Sequence, residues 1–166
     1  SDLQSETSAI ENAMSYGAAV GDGMNIARQL GNLPANICTP SHLADQAISL
    51  GKAKLNKASI STEILDRADM QKLNMNSLLS VAEGSDEPPK LIVINYQGAD
   101  AKTKPVVLVG KAVTFDSGGI SLKPGRGMDE MKYDMCGGAS VLGVMTALIE
   151  LEIPINVVGI ISATDN

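Results

Sequence analysis

The 166-residue sequence predicts an α/β fold, a mixed and largely parallel sheet flanked by helices. Short apolar runs rich in β-branched residues predict three strands, at residues 91–96, 105–109 and 154–162. A strongly apolar helix, expected over 138–151, separates the second strand from the third. Strand, loop, helix and strand in this order are typical of a βαβ unit, whose strands are expected to be covered on both faces.

The chain before these strands is predicted to be mainly helical. Gly31 to Pro34 form a stop signal for the first helix, which three interior glycines weaken. Periodicity and turn residues predict a helix over 6–30, a helix over 42–54 with an N-cap in the run Thr39-Pro40-Ser41, a strand over 59–65, and short helices over 67–73 and 77–82.

Composition and charge exclude some functions for this segment. The net charge of −6 disfavours binding to a phosphate backbone, so a nucleic-acid partner is not expected. The sequence contains no run of 18 apolar residues, so we expect no membrane span and a cytoplasmic protein. Cys38 and Cys136 lack CxxC spacing and are interpreted as reduced, buried thiols.

The sequence ends directly after the third predicted strand, at Asn166. Functional groups of open α/β sheets collect at the carboxyl ends of strands, and a following element normally covers such an end. We therefore expect residues 1–166 to be a fragment of a larger domain.

The segment from Val109 to Asp134 concentrates lysines and carboxylates among glycines. It does not match a phosphate-binding P-loop, because position 105 is proline and position 112 is alanine. Ser117 follows an aspartate and precedes two glycines, as in a serine hydrolase. The only histidine, His42, lies at a predicted helix start, where it is expected at the surface and not as the base of a Ser117 nucleophile.

Two interpretations of this lysine and carboxylate segment remain open from residue types alone. Carboxylates are good oxygen ligands for divalent cations, and one of them can bridge two metal ions. A lysine amine can coordinate once it has lost its proton, which a nearby cation favours. The same residues also occur in solvated salt-bridge surfaces.

The run GKAVTFDSGGISLKPGRGMDEMKYDMCGGASV resembles the signature of the leucine (cytosol) aminopeptidase family, G-K-G-x-T-F-D-S-G-G-x-x-x-K-x-x-x-x-M-x-x-M-K-x-D-M-x-G-A-A. Two positions depart from it: Ala112 replaces a glycine and Gly138 replaces an alanine. The segments ARQLGNLPANICTPSHLA and PINVVGIISATDN also resemble this family. The resemblance implies a zinc-exopeptidase-like catalytic domain, with residues 1–166 as its N-terminal portion.

The resemblance implies a role for each matching residue. Lys111, Asp116 and Asp134 would be metal ligands, with Asp116 bridging two ions. Asp134 would also face the free α-amino group of the substrate, and Met131 would line the pocket for its side chain. Lys123 would be the catalytic lysine that stabilises the gem-diolate transition state.

The implied activity is hydrolysis of an N-terminal, preferably Leu-like, residue from a peptide by water activated at two metals, Zn²⁺ and/or Mn²⁺ with Mg²⁺ possible at the exchangeable site. The family's N-T-D-A-E-G-R motif, with further ligands and a bicarbonate-binding arginine, does not occur in this sequence. The fragment alone is therefore expected to be inactive and to need the remainder of its catalytic domain, in a homohexamer. A non-catalytic binding or regulatory member of the same fold is the alternative.

Overall fold

The computed structural model describes the backbone of residues 2–166 and the side chains from residue 5 onward. Its order is two helices, a strand, two short helices, two strands, a helix and a strand. The elements are α1 (Asp2–Asn32), α2 (Pro40–Leu50), β1 (Ser59–Leu65), α3 (Arg67–Lys72), α4 (Asn76–Val81), β2 (Lys90–Gln97), β3 (Val106–Val113), α5 (Cys136–Leu151) and β4 (Asn156–Thr164), with 3₁₀ helices at Ala82–Gly84 and Met128–Met135.

The four strands form one mixed sheet in the order β1-β2-β4-β3. β3 and β4 run parallel and are joined by α5, so the predicted βαβ unit is confirmed. The pairs β1–β2 and β2–β4 are antiparallel. The predicted α/β class, with helices flanking a mixed sheet, is therefore confirmed, while parallel pairing in the described residues is limited to β3 and β4.

Burial differs between the two parallel strands. β4 lies inside the sheet, and most of its residues are buried. β3 is the edge strand of the described sheet, and Val106, Val107 and Val109 are all more than half exposed. The expectation that every apolar strand is covered on both faces is therefore wrong for β3: α5 packs against the face that carries Gly110 and Ala112, while the opposite face, with Val107 and Val109, is exposed among the described residues.

Helix α1 crosses α5 at a contact between two glycines. A Cβ atom at Gly23 would lie 2.4 Å from the carbonyl oxygen of Gly143, and a Cβ atom at Gly143 would lie 2.4 Å from that of Gly23. Gly23 therefore allows the two backbones to approach closely. By contrast, Gly17 and Gly21 have open space where a side chain would be, so the packing of the described residues does not require them.

Aliphatic side chains from the sheet, α2 and α5 make up the core. Fully or almost fully buried residues include Leu43, Ile92, Ile94, Leu142, Met145 and Ile161. Cys38 is buried in this core and Cys136 packs against it. Both cysteines are free thiols, as predicted, although Cys136 is only half-buried. Burial, and to a smaller extent the nearby Cys136, raises the pKa of the Cys38 thiol to about 11.

Residues Met128–Leu151 are long and apolar enough to cross a membrane by length and composition, and 44% of their most apolar window is buried inside the protein. The inward side of α5 carries Val141, Leu142 and Met145, which belong to the core cluster. The sheet and α1 therefore account for the apolar character of this helix.

Most predicted elements lie close to their observed positions, with two informative differences. Strand β3 continues beyond the predicted end at residue 109 to Val113, because it pairs with β4 as far as Val113 and Thr164. Lys111 therefore lies within the strand, not directly after it. The loop predicted between the second apolar strand and the apolar helix includes the 3₁₀ helix over Met128–Met135, which ends where α5 begins.

Candidate metal centre

The segment that resembles the family signature, residues 110–141, folds around the carboxyl end of β3 and the start of α5. At Gly110, a Cβ atom would lie 2.6 Å from the Gly137 carbonyl oxygen; at Gly137, it would lie 2.9 Å from the Lys111 carbonyl oxygen. These glycines let the strand and the first turn of α5 touch through their backbones. The contact brings Lys111, on β3, next to the 3₁₀ helix that carries Asp134.

Lys111 and Asp134 form an ion pair, with 2.7 Å between Nζ and Oδ2. The Asp134 side chain is only 20% exposed, whereas that of Lys111 is 61% exposed. The contact lacks hydrogen-bond geometry, and Asp134 Oδ2 is buried without a hydrogen-bond partner. A buried carboxylate oxygen that accepts no hydrogen bond is costly unless a cation compensates it.

Asp116 lies in the loop after β3 and has separate partners for its two oxygens. Its Oδ2 is 2.8 Å from Nζ of Lys123. Its Oδ1 accepts hydrogen bonds from Nδ2 of Asn166 at 2.7 Å and from the backbone N–H of Gly118 at 3.0 Å. The pKa of the Asp116 carboxyl is lowered, mainly by the bond from Lys123 and further by those from Asn166 and Gly118. Burial acts in the opposite direction but does not outweigh these bonds.

The loop that carries Asp116 is attached to the end of β4. Asn166 donates its backbone N–H to the Phe115 carbonyl at 3.1 Å, and Ser117 donates its own N–H to the Asn166 carbonyl at 2.9 Å. Gly118 and Gly119 have φ values of 90° and 63°, which allow the chain to turn back after Ser117. The loop is thus fixed to β4 through backbone bonds.

Ser117 and His42 do not form a catalytic pair. The Ser117 hydroxyl donates to the Asn166 carbonyl at 2.7 Å. His42 lies in the first turn of α2, where its backbone N–H donates to the Thr39 hydroxyl. The predicted N-cap is therefore confirmed, and the serine hydrolase alternative has no support from this geometry.

The remaining residues of the segment are placed as follows. Met131 is half-buried on the 3₁₀ helix, and the core cluster of the described residues includes Met135 but not Met131. Lys132 donates from Nζ to the Asn32 carbonyl at 3.2 Å and lies over the Tyr133 ring. Asp129 and Glu130 are exposed acidic residues of the same 3₁₀ helix, and no functional role is assigned to them.

Four of the five predicted site residues are therefore found as two pairs, Lys111 with Asp134 and Lys123 with Asp116. Among the residues whose side chains the structure describes, no group of three or more His, Cys, Asp or Glu could hold a metal ion. The predicted ligands, Lys111, Asp116 and Asp134, do not form a group of that kind because one of the three is a lysine. The buried, unbonded Oδ2 of Asp134 beside a lysine nitrogen fits a divalent cation. The assignment of these residues as ligands stays a prediction.

Asn166 is a neighbour of the site that was not predicted from the sequence. Asn166 follows β4 directly, and the carboxyl ends of parallel strands are where site residues collect. That position was the available signal, but contact with Asp116 depends on the register of β3 and β4. The preceding Asp165 accepts hydrogen bonds from the hydroxyls of Thr114 and Ser85 and so ties β3 to β4 at the same end.

The two departures from the family signature contact one another beneath the site. A Cβ atom at Gly138 would lie 2.7 Å from Cβ of Ala112 and equally close to Cγ2 of Ile161. Ala112 is fully buried. The methyl group that the signature places at position 138 is thus replaced by the methyl of Ala112, on the opposite side of the same contact.

Comparison with known proteins identifies the family of this chain. The family model described as the cytosol aminopeptidase family, catalytic domain, matches residues 25–166. The chain is 58% identical over 160 residues to a probable cytosol aminopeptidase of Aromatoleum aromaticum, covering 96% of this chain and 31% of that protein. It is 59% identical over 157 residues to one from an Azoarcus species, covering 95% and 31%.

Solved structures share the fold. The bottromycin maturation enzyme BotP in complex with Mn is 36% identical, with a TM-score of 0.83 over 94% of this chain and 33% of that one. A mutant of tomato leucine aminopeptidase is 34% identical, with a TM-score of 0.80 over 95% and 29%. The chain spans about a third of the length of the relatives it matches. It belongs to the cytosol aminopeptidase family, within the region that corresponds to the catalytic domain.

Proposed function

We propose that the full-length protein containing this chain is a metal-dependent aminopeptidase that removes an N-terminal, Leu-like residue from peptides. The observation that carries the proposal is the buried Asp134 Oδ2, which accepts no hydrogen bond and lies 2.7 Å from the Lys111 amine. Family membership supports it, because the curated relatives are named probable cytosol aminopeptidases.

Lys111, Asp116 and Asp134 would hold two divalent cations, with Asp116 bridging them. In the structure, each of Asp116 and Asp134 has a lysine ammonium as its counter-ion. An ammonium and a metal ion compete for the same carboxylate, so cation binding would displace the Lys111 contact and recruit its uncharged amine. Bound divalent cations of this kind activate water and polarise a carbonyl group. Mn²⁺ is a reasonable first probe, because BotP was solved with Mn.

The other residues would bind and orient the peptide. Lys123, whose side chain is 36% exposed, is accessible enough to donate a hydrogen bond to the carbonyl oxygen as negative charge develops there. Asp134 would face the α-amino group and so confine cleavage to the chain end. Met131, half-buried and outside the core cluster, would contact the N-terminal side chain.

The proposal extends to the remainder of the protein. The N-T-D-A-E-G-R motif of the family would supply the remaining ligands and an arginine for bicarbonate. The fragment alone would be inactive, and the complete protein would form a homohexamer. A cytoplasmic location is proposed because the relatives are named as cytosol aminopeptidases.

A non-catalytic binding or regulatory member of the family is the alternative. Such a protein would keep the scaffold while losing ligands or the catalytic lysine. The ligand positions within this chain and Lys123 all match the signature, which favours catalysis.

The test is hydrolysis of leucine p-nitroanilide by the full-length protein. We expect activity that a chelator removes and added Mn²⁺ restores, and no cleavage of the N-acetylated substrate. The chelator already saturated with Mn²⁺ is the matched control. Activity that persists in free chelator, or equal cleavage of the acetylated substrate, would contradict the proposal.

A further inference from the structure

Asn166 is anchored by bonds that fix both its backbone and its side chain. Its backbone N–H donates to Phe115, and its carbonyl accepts the N–H and the hydroxyl of Ser117. A Cβ atom at Gly119 would lie 2.8 Å from Oδ1 of Asn166, so the amide group occupies a narrow space beside that glycine. The remaining end of the amide, Nδ2, points at Asp116.

The two oxygens of Asp116 differ in the charge of their partners. Oδ1 accepts from two neutral donors, the amide of Asn166 at 2.7 Å and the N–H of Gly118 at 3.0 Å. Oδ2 faces the positively charged Lys123 at 2.8 Å. A neutral donor does not repel an incoming cation, whereas an ammonium group does. The contacts to Oδ1 can therefore persist when a cation binds, and the contact to Oδ2 must yield.

We propose that Asn166 is a positioning residue for Asp116, holding Oδ1 so that Oδ2 is presented to a divalent cation. The inference rests on the proposed function, because it takes Asp116 to be a metal ligand. Hydrogen bonds to ligating carboxylates fix their orientation, and their loss typically weakens metal binding. Asn166 acts through Asp116 and is not assigned a contact with the substrate.

The end of β4 gives this arrangement its rigidity. Thr114 donates its backbone N–H to Thr164 at 2.9 Å, and its hydroxyl bonds Asp165. Asp116 and Asn166, the two residues that form the contact, therefore each lie two positions beyond the hydrogen-bonded pair of Thr114 and Thr164. A group held this way loses little conformational freedom when a ligand binds.

The experiment measures Mn²⁺ binding to the metal-stripped full-length protein by titration calorimetry. Asn166→Ala removes the amide, and Asn166→Leu fills the same space without a donor. We expect the dissociation constant to rise roughly 10–100-fold in both variants. The electron paramagnetic resonance spectrum of bound Mn²⁺ should also change, which a purely structural role would not cause.

Asn156→Ala is the matched control. Asn156 lies at the opposite end of β4 and donates from Nδ2 to the carbonyls of Asp100 and Thr103. This variant should lower the melting temperature while keeping the wild-type dissociation constant and spectrum. Thermal unfolding of all variants separates a loss of metal binding from a loss of folding.

Wild-type Mn²⁺ affinity in Asn166→Ala or in Asn166→Leu would overturn the inference. A wild-type protein that binds Mn²⁺ but leaves leucine p-nitroanilide intact contradicts the proposed function, yet a raised dissociation constant in the Asn166 variants still supports the positioning role. If the wild-type protein binds no Mn²⁺, both the proposed function and the role of Asn166 are contradicted.

Discussion

The two ends of β4 use polar side chains in different ways. At its amino end, these side chains bond the backbone: Asn156 donates to two carbonyls and accepts the N–H of Ala99, and Glu152 accepts the backbone N–H groups of Asn56 and Lys57. At its carboxyl end, charged side chains pair with one another, as in Lys111–Asp134 and Lys123–Asp116.

This difference separates a structural end of the sheet from a candidate functional one. Side chains that satisfy backbone groups, such as Asn156, hold the loops of the amino end in place. Side chains that only neutralise one another can exchange their partners, and Asp134 Oδ2 is even left without a hydrogen bond. The contrast indicates that the lysine–aspartate pairs at the carboxyl end can be exchanged, since a metal cation can replace an ammonium group there.

The largest expected effect is on catalysis, at Lys123. In the full-length protein, Lys123→Ala should lower kcat by roughly 100- to 1000-fold, because it removes a donor to the developing oxyanion. KM should change far less. Steady-state kinetics measure both, with Lys132→Ala, a lysine of the same segment bonded to the Asn32 carbonyl, as the control. A raised KM with an unchanged kcat would instead place Lys123 in substrate binding alone and contradict the transition-state role.

The next effect concerns the packing beneath the site. Gly138→Ala should destabilise the protein by about 1–3 kcal/mol, because its methyl would overlap Ala112 and Ile161. Adding Ala112→Gly restores the arrangement of the family signature and should recover most of the loss. Denaturant unfolding of the two single variants and the double variant measures the coupling. Additive losses would show that the two departures are independent.

The smallest effect lies at the structural end, with Glu152. Backbone N–H groups of Lys57 and Asn56 lower the pKa of this exposed carboxyl below its usual value of 4.5. The stability that ionised Glu152 contributes is therefore fully present above that value and is lost as the pH falls through the lower pKa of the folded state. Melting temperatures of wild type and Glu152→Gln should differ slightly at neutral pH and converge in acid. A difference that grows in acid would contradict this assignment.

The sequence was sufficient to predict most elements, because the apolar runs of β2, β3 and β4 and the apolar face of α5 carry strong periodicity. The end of β3 was missed because its apolar run stops at Val109, whereas pairing continues through small residues that pack under α5. The grouping of lysines with aspartates followed from residue types and family resemblance. The contact between Asn166 and Asp116 could not be predicted, since it depends on the register of two strands distant in sequence.

The most direct test is a crystal structure of the full-length protein grown with Mn²⁺, in which anomalous scattering locates the metal. We expect an anomalous peak coordinated by Lys111, Asp116 and Asp134, with the Lys111–Asp134 ion pair replaced by bonds to the metal. A peak elsewhere, with the Lys111–Asp134 and Lys123–Asp116 pairs intact, would contradict these ligand assignments.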